Sequence, residues 1–180
     1  MNTTKIIQKY YNRNDLAYSI LVAHSKQVAQ KALYLAENNP GLNLDLVFIE
    51  EAAMLHDIGI FMTNAPRIGC FGAYPYLCHG YLGAELLRKE GFLKHALVCE
   101  RHTGVGLSVE TIRKEKLPLP EKEMIPVSIE EQLICFADKF FSKNHPEFEK
   151  SLEHIRHEII KYGKGASLRF EEWCNMFLVS

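Results

Sequence analysis

Five cysteines in 180 residues, Cys70, Cys78, Cys99, Cys135 and Cys174, form no Cys-x-x-Cys pair, and their number is odd. Both features argue against a disulfide framework and against a zinc ribbon. No uninterrupted apolar run is long enough to span a bilayer. The opening residues, Met1-Asn2-Thr3-Thr4-Lys5, lack the apolar core of a signal peptide. The expectation is a soluble cytoplasmic protein with no membrane partner. An excess of either charge is also missing: the formal net charge is -1, so a long nucleic acid is not an expected partner, although a local basic pocket is compatible. Repeats, low-complexity tracts and linker-like stretches are absent. With 47% hydrophobic and 24% charged residues the chain has globular rather than disordered composition. At this length one domain over 1–180 is expected, with a core of about 15–143 and C-terminal helices over 146–178 packed on it.

What is present is helical patterning. From Asp15, a plausible N-cap, apolar residues recur at helical spacing (Ala17, Ile20, Leu21, Val28, Ala32, Leu35), and His24 falls on that stripe. Asn38-Asn39-Pro40-Gly41 stops this helix. A second apolar helix, capped near Asn43, runs into Leu55-His56-Asp57-Ile58-Gly59, where Gly59 is expected to reverse the chain. Residues 63–75 are rich in Gly and Pro, lack a period, and suit a pocket wall or lid. A helix from about Tyr76 to Gly91 carries His79 in its first turn. Gly80 and Gly83 within it suit close approach by another backbone or a ligand. A further helix from about Phe92 ends at Thr103-Gly104 with His102 in its last turn, while His95 and Cys99 read as packing residues. Ser108–Lys116 reads as a short exposed helix, and Leu117–Pro120 as extended. Ser128 and Glu131 form a capping box that opens a strong helix, with Asp138 among its inward positions. Lys139, its neighbour, is expected to point elsewhere. Two last helices are expected over about Pro146–Tyr162, with Phe148, Leu152, Ile155 and Ile159 inward, and over Ser167–Leu178, with Leu168, Trp173 and Phe177 inward. His154 and His157 fall on a solvated face. The reading is all-α.

A buried His-Asp pair is costly without compensation. Alone, His56-Asp57 has an ordinary explanation, a carboxylate bonded to its neighbour or to a helix cap. Several separate helices, however, each present one inward ligand-type residue: His24, His56 with Asp57, His79, His102 and Asp138. Neutral imidazoles and carboxylates suit divalent metals, and six such groups suffice for two ions bridged by Asp57.

The pattern His24, His56-Asp57, Asp138 resembles the signature of the HD-domain metal-dependent phosphohydrolase superfamily, and Leu55–Gly59 resembles its HDIG variant. The order His, His-Asp, His, His, Asp resembles the subset that carries two metals. His79-Gly80-Tyr81-Leu82-Gly83-Ala84, Arg101-His102-Thr103-Gly104 and Ala137-Asp138-Lys139 are similar to small stand-alone members. The Gly-Tyr-Pro motif of cyclic-di-GMP hydrolases is absent. The resemblance implies an orthogonal helical bundle with His24, His56, Asp57 and Asp138 on a first metal, and His79, His102 and the bridging Asp57, the central catalytic residue, on a second. It implies one or two divalent transition metals (Fe, Mn, Zn, Ni or Co) and a phosphomonoesterase, phosphodiesterase or pyrophosphohydrolase. The implied substrate is a small nucleotide or other phosphorylated metabolite. Arg101 and Lys139 flank ligands and could reach substrate phosphate oxygens; a surface salt bridge is an equal expectation for each. The same ligand set also serves HD-fold di-iron oxygenases, and a non-catalytic nucleotide-sensing module is the third alternative.

Overall fold

A computed structural model describes residues 1–178, and among these the chain is all-α apart from one two-stranded hairpin. The helices are α1 (Thr3–Tyr10), α2 (Leu16–Glu37), α3 (Leu46–Leu55), α4 (His79–Lys89), α5 (Leu93–Arg101), α6 (Val109–Lys114), α7 (Ile129–Asp138), α8 (Leu152–Ile159) and α9 (Lys164–Phe177). The aperiodic segment 63–75 forms β1 (Asn64–Ala65) and β2 (Cys70–Phe71), paired antiparallel with Asn64 opposite Phe71.

Local chemistry explains most boundaries. Ser128 Oγ accepts from Glu131 N at 3.2 Å and starts α7, a cap worth about 1 kcal/mol. The second half of that box departs from expectation, because the Glu131 carboxylate accepts from Val127 N rather than Ser128 N. At the start of α3 the cap is Asp45, which accepts from Phe48 N at 3.0 Å, and not Asn43, which sits in a left-handed turn with φ 49°. Helix α4 ends in a Schellman motif: Gly91, at φ 85°, donates to Arg88 O, and Phe92 N reaches Leu87 O at 2.9 Å.

Two apolar clusters fill the interior. One joins the C-terminal half of α2 (Val28, Ala32, Leu35) with α3, α7, α8 and α9, where the Phe136 ring packs on Phe170 and Phe177 at 5.3 and 5.6 Å. The other joins α1, the start of α2 (Ala17, Leu21), the end of α3, α4 and α5. Along α2 the clusters change over between Leu21 and Val28, which is where His24 lies. Along the α3 exit they change over between Ala53 and Leu55, with Met54 packed against both, immediately before His56 and Asp57. The polar residues therefore form a seam between two cores. Each large aliphatic side chain buried beside that seam contributes about 1.5–3 kcal/mol, which offsets the cost of the polar groups held there.

Four expectations from the C-terminal patterning are corrected. Helix α8 begins at Leu152, not near Pro146, and Phe148 is 66% exposed in the preceding irregular segment. Helix α9 begins three residues earlier than its apolar pattern suggests, at Lys164. Leu168 on it faces solvent, while Phe170, Trp173 and Phe177 are the inward residues. Gly59 does not reverse the chain through a positive φ (its φ is -84°); it is required because a Cβ there would lie 2.2 Å from His79 O and 2.5 Å from Gly83 N. Gly80 and Gly83 permit close approach as expected, the neighbours being Cys99 O and Cys99 Sγ. No helix is long and apolar enough to cross a membrane among the described residues.

Candidate metal centre

Five segments bring six ligand-type side chains to the seam. His24 comes from the middle of α2, His56 and Asp57 from the exit of α3, His79 from the first residue of α4, His102 from the cap after α5, and Asp138 from the last residue of α7. All are buried, His56 and Asp57 completely. They fall into two sets whose ligand atoms lie within 4.8 Å of one another: His24, His56, Asp57 and Asp138 in one, and Asp57, His79 and His102 in the other. Asp57 belongs to both through different oxygens. Its Oδ2 faces His24 Nε2 and His56 Nε2 at 3.2 and 3.0 Å. Its Oδ1 faces His79 Nε2 and His102 Nε2 at 3.2 and 3.4 Å. Asp138 Oδ1 completes the first set, 2.9 Å from His24 Nε2 and 3.4 Å from His56 Nε2.

The backbone chooses which nitrogen each imidazole presents. Nδ1 of His56, His79 and His102 donates to the carbonyl three residues earlier, Ala53 O, Tyr76 O and Cys99 O, at 2.6, 2.7 and 2.7 Å. Such a bond holds the ring orientation and, in the neutral ring, leaves Nε2 with the lone pair. In all three cases Nε2 is the atom aimed at the centre. His24 is the exception, with Nδ1 buried and unpartnered. Two cysteine thiols brace the same backbone, Cys99 Sγ donating to His56 O at 2.9 Å and Cys135 Sγ to His102 O at 3.2 Å. Burial pushes the Cys99 thiol well up and the Cys135 thiol to about 12, so both stay protonated and able to donate.

The charges are strongly coupled. Burial pushes His56 down, but the Asp57 and Asp138 carboxylates outweigh it and lift its pKa to about 9. Burial would raise Asp57, yet His56, Lys143 and the close imidazoles of His102 and His24 hold it well below the usual carboxylate range. Asp138 is depressed likewise, with Lys139 and His24 overriding burial. His102 moves the other way, to about 4, because burial and its positive neighbours prevail over Asp57. Neither Asp57 oxygen, nor His56 Nε2, makes a well-aligned hydrogen bond, although imidazoles and the Lys143 ammonium surround them closely. Buried nitrogen and oxygen ligand atoms converging at this range, several without an aligned hydrogen bond, fit a divalent transition metal better than they fit one another.

Lysines near the centre depart most from the sequence reading. Lys139 was expected to point away from Asp138; instead the end of α7 turns it back, and its Nζ lies 2.9 Å from Asp138 Oδ2. Lys143, absent from the candidate residues, places Nζ 2.5 Å from Asp57 Oδ2. It lies five residues after Asp138, beyond the helix end, so no periodicity could assign its direction. For both lysines burial acts downward, but Asp138 for Lys139 and Asp57 for Lys143 raise the pKa, and the ammonium forms persist. Arg101, expected near substrate, has its guanidinium engaged by Glu131, with Nη1 2.8 and 3.1 Å from the two carboxylate oxygens. It is not among the residues lining the cavity beside the centre. His95 packs between Phe48 and Phe92, and Cys99 holds a backbone carbonyl, in keeping with their reading as packing residues.

Comparison with known proteins follows the same boundaries. An uncharacterised protein of Methanocaldococcus jannaschii is 32% identical over 152 residues, covering 72% of this chain and 82% of its own length. Two proteins named tRNA (cytidine(56)-2'-O)-methyltransferase, from Picrophilus torridus and Thermoplasma volcanium, are 32% and 30% identical over 76% and 77% of this chain. The chain spans only 35% and 38% of those two proteins. No solved structure matches. The family model described as HD domain matches residues 21–142, a stretch running from just before His24 to just after Asp138, and with that match and the His/Asp cluster at its centre the chain belongs to the HD domain family.

Proposed function

We propose that the protein is a metal-dependent phosphohydrolase acting on a small phosphorylated metabolite at a dinuclear centre. The observation that carries this reading is the sharing of Asp57, one oxygen toward His24 and His56 and the other toward His79 and His102. His24, His56, Asp57 and Asp138 would hold one ion, and Asp57, His79 and His102 the other. A pair of divalent ions supplies Lewis acidity toward phosphoryl oxygens and lowers the pKa of water toward neutrality.

The chain's own residues do the rest. Asp57 sets the spacing of the two donor sets. The backbone carbonyls of Ala53, Tyr76 and Cys99 keep three imidazoles in one tautomer. Lys139 and Lys143 line the adjoining cavity as ammonium ions. There they can donate to phosphoryl oxygens and offset charge that grows during hydrolysis. That pair favours phosphate chemistry over the oxidative chemistry the same ligands could support. Methyl transfer appears only in the names of two longer relatives, of which this chain matches about a third.

The test is a phosphatase and phosphodiesterase panel on protein reconstituted with Mn, Fe, Co, Ni or Zn, with Asp57→Ala alongside. Two metals per chain, and phosphate release lost in the variant, are expected. Equal behaviour of both proteins across the panel refutes the reading, and oxygen consumption without phosphate release replaces it with the oxygenase alternative.

A further inference from the structure

Beside the metal centre opens a cavity of about 670 Å³, far more than one phosphoryl group fills and within the range of small-molecule sites. Its lining includes Asp138, Lys139 and Lys143. Two separate parts of the chain wall it. One is the hairpin segment, through Ala65–Ile68; the other is the region after the HD match, through Ile155, Glu158, Ile159, Lys161 and Tyr162. The second wall therefore belongs to the part of the chain outside the matched family stretch.

The cationic side chains of this lining divide into two kinds. Lys139 is paired with Asp138 at 2.9 Å, Lys143 with Asp57 at 2.5 Å and Lys150 with Glu158 at 2.7 Å. Arg67 on the hairpin and Lys161 after α8 face no carboxylate within ion-pair distance among the described residues. Lys161 lies instead over the Tyr162 ring, 5.0 Å from its centroid. Two cations without a carboxylate partner, supplied to the lining of one cavity by separate parts of the chain, add positive potential there. A guanidinium and an ammonium together suit a phosphate, which accepts two parallel bonds from the first and a point charge from the second.

We propose that Arg67 and Lys161 form a second anion subsite, and that the physiological substrate is a small bisphosphorylated molecule. One phosphate lies at the metal centre over Lys139 and Lys143, and the other at the mouth between Arg67 and Lys161. This rests on the phosphohydrolase reading above and names its substrate class. Specificity then comes from the hairpin and the segment after α8, whereas the chemistry comes from the metal ligands, all of which lie within the matched HD region.

The experiment measures, on the metal-loaded protein, the ratio of kcat/KM for fructose bisphosphate over fructose monophosphate, and for an adenosine bisphosphate over AMP. Calorimetric titration of the same adenosine nucleotides gives the binding ratio without turnover. The wild type is expected to favour bisphosphates at least about 10-fold in both ratios. Arg67→Ala and Lys161→Ala should each lower the ratio about 3-fold and together about 10-fold, back toward unity, the loss falling on KM and not kcat. Arg67→Lys should restore part of it, and raising ionic strength should shrink the wild-type ratio. Both residues are exposed, so the variants keep the fold, which circular dichroism checks. A wild-type ratio within 2-fold of unity, or a ratio that survives the double variant, overturns the proposal. Absence of phosphate release from every substrate would instead remove the phosphohydrolase reading, and the calorimetric ratio would still decide the subsite.

Discussion

Gly59→Ala is the sharpest test of how this fold builds its centre. The backbone at Gly59 has φ -84° and ψ -1°, which alanine adopts without strain. Propensity alone would make the change neutral or mildly stabilising, by up to about 1 kcal/mol. Packing gives the opposite sign. The new methyl would lie 2.2 Å from His79 O, 2.5 Å from Gly83 N and 2.8 Å from Gly83 Cα, all backbone atoms of α4 that cannot rotate away. Relief requires the start of α4 to withdraw by roughly 1 Å, near the upper end of overpacking costs at about 3 kcal/mol. For a chain of this size that corresponds to a fall in Tm of about 6–12 °C. His79 travels with the displaced residues, whereas His24, His56 and Asp138 come from other segments. Scanning calorimetry should show the lower Tm, and a metal titration should lose one of two binding events while the other persists. A variant as stable as the wild type that still takes up two metals would refute the packing argument and the placement of His79 together.

Other consequences follow from the charges. The Asp57 and Asp138 carboxylates lift His56 to about 9, so at neutral pH it carries a proton that metal must displace. Metal affinity should therefore rise with pH up to about 9, with proton uptake by buffer visible when titrations are repeated in buffers of different ionisation heat; a pH-independent affinity contradicts this. In chelator-treated protein, the raised His56 contributes stability that is full below 6.5 and lost as pH climbs toward 9. The depressed Asp57 and Asp138 contribute stability present above 3.8 and lost as pH falls below it. Tm of the chelated protein should accordingly peak between those limits, and a maximum above pH 9 would reverse the assigned signs. Arg101→Ala should act on stability, costing about 2–3 kcal/mol because it strands the buried Glu131 carboxylate. Lys143→Ala should instead weaken competitive inhibition by orthophosphate. An Arg101→Ala effect confined to KM would return that residue to the substrate.

The sequence by itself determined the helical class, because apolar residues at helical spacing on α2, α3, α5 and α7 admit few other folds. It also singled out the six inward imidazoles and carboxylates, each being a polar residue on an apolar stripe or at a helix end. Such a residue is costly to bury without a partner, so its position is informative before any partner is known. Where a direction depended on chain geometry beyond a helix end, sequence was silent or misleading. Lys139 and Lys143 follow the last residue of α7, where the helical period no longer fixes orientation, and only the tertiary turn sends both ammonium groups toward Asp138 and Asp57. Arg101 shows the converse: adjacent to His102 in sequence, it faces away because Glu131 on another helix claims it. Gly59 was visible as a glycine but not as a contact, since its need for no side chain arises from α4, some twenty residues further along. The division has one physical cause. Local periodicity reports which face of an element is buried, but what waits on the other side of that face is decided by segments distant in sequence, and only their packing reveals it.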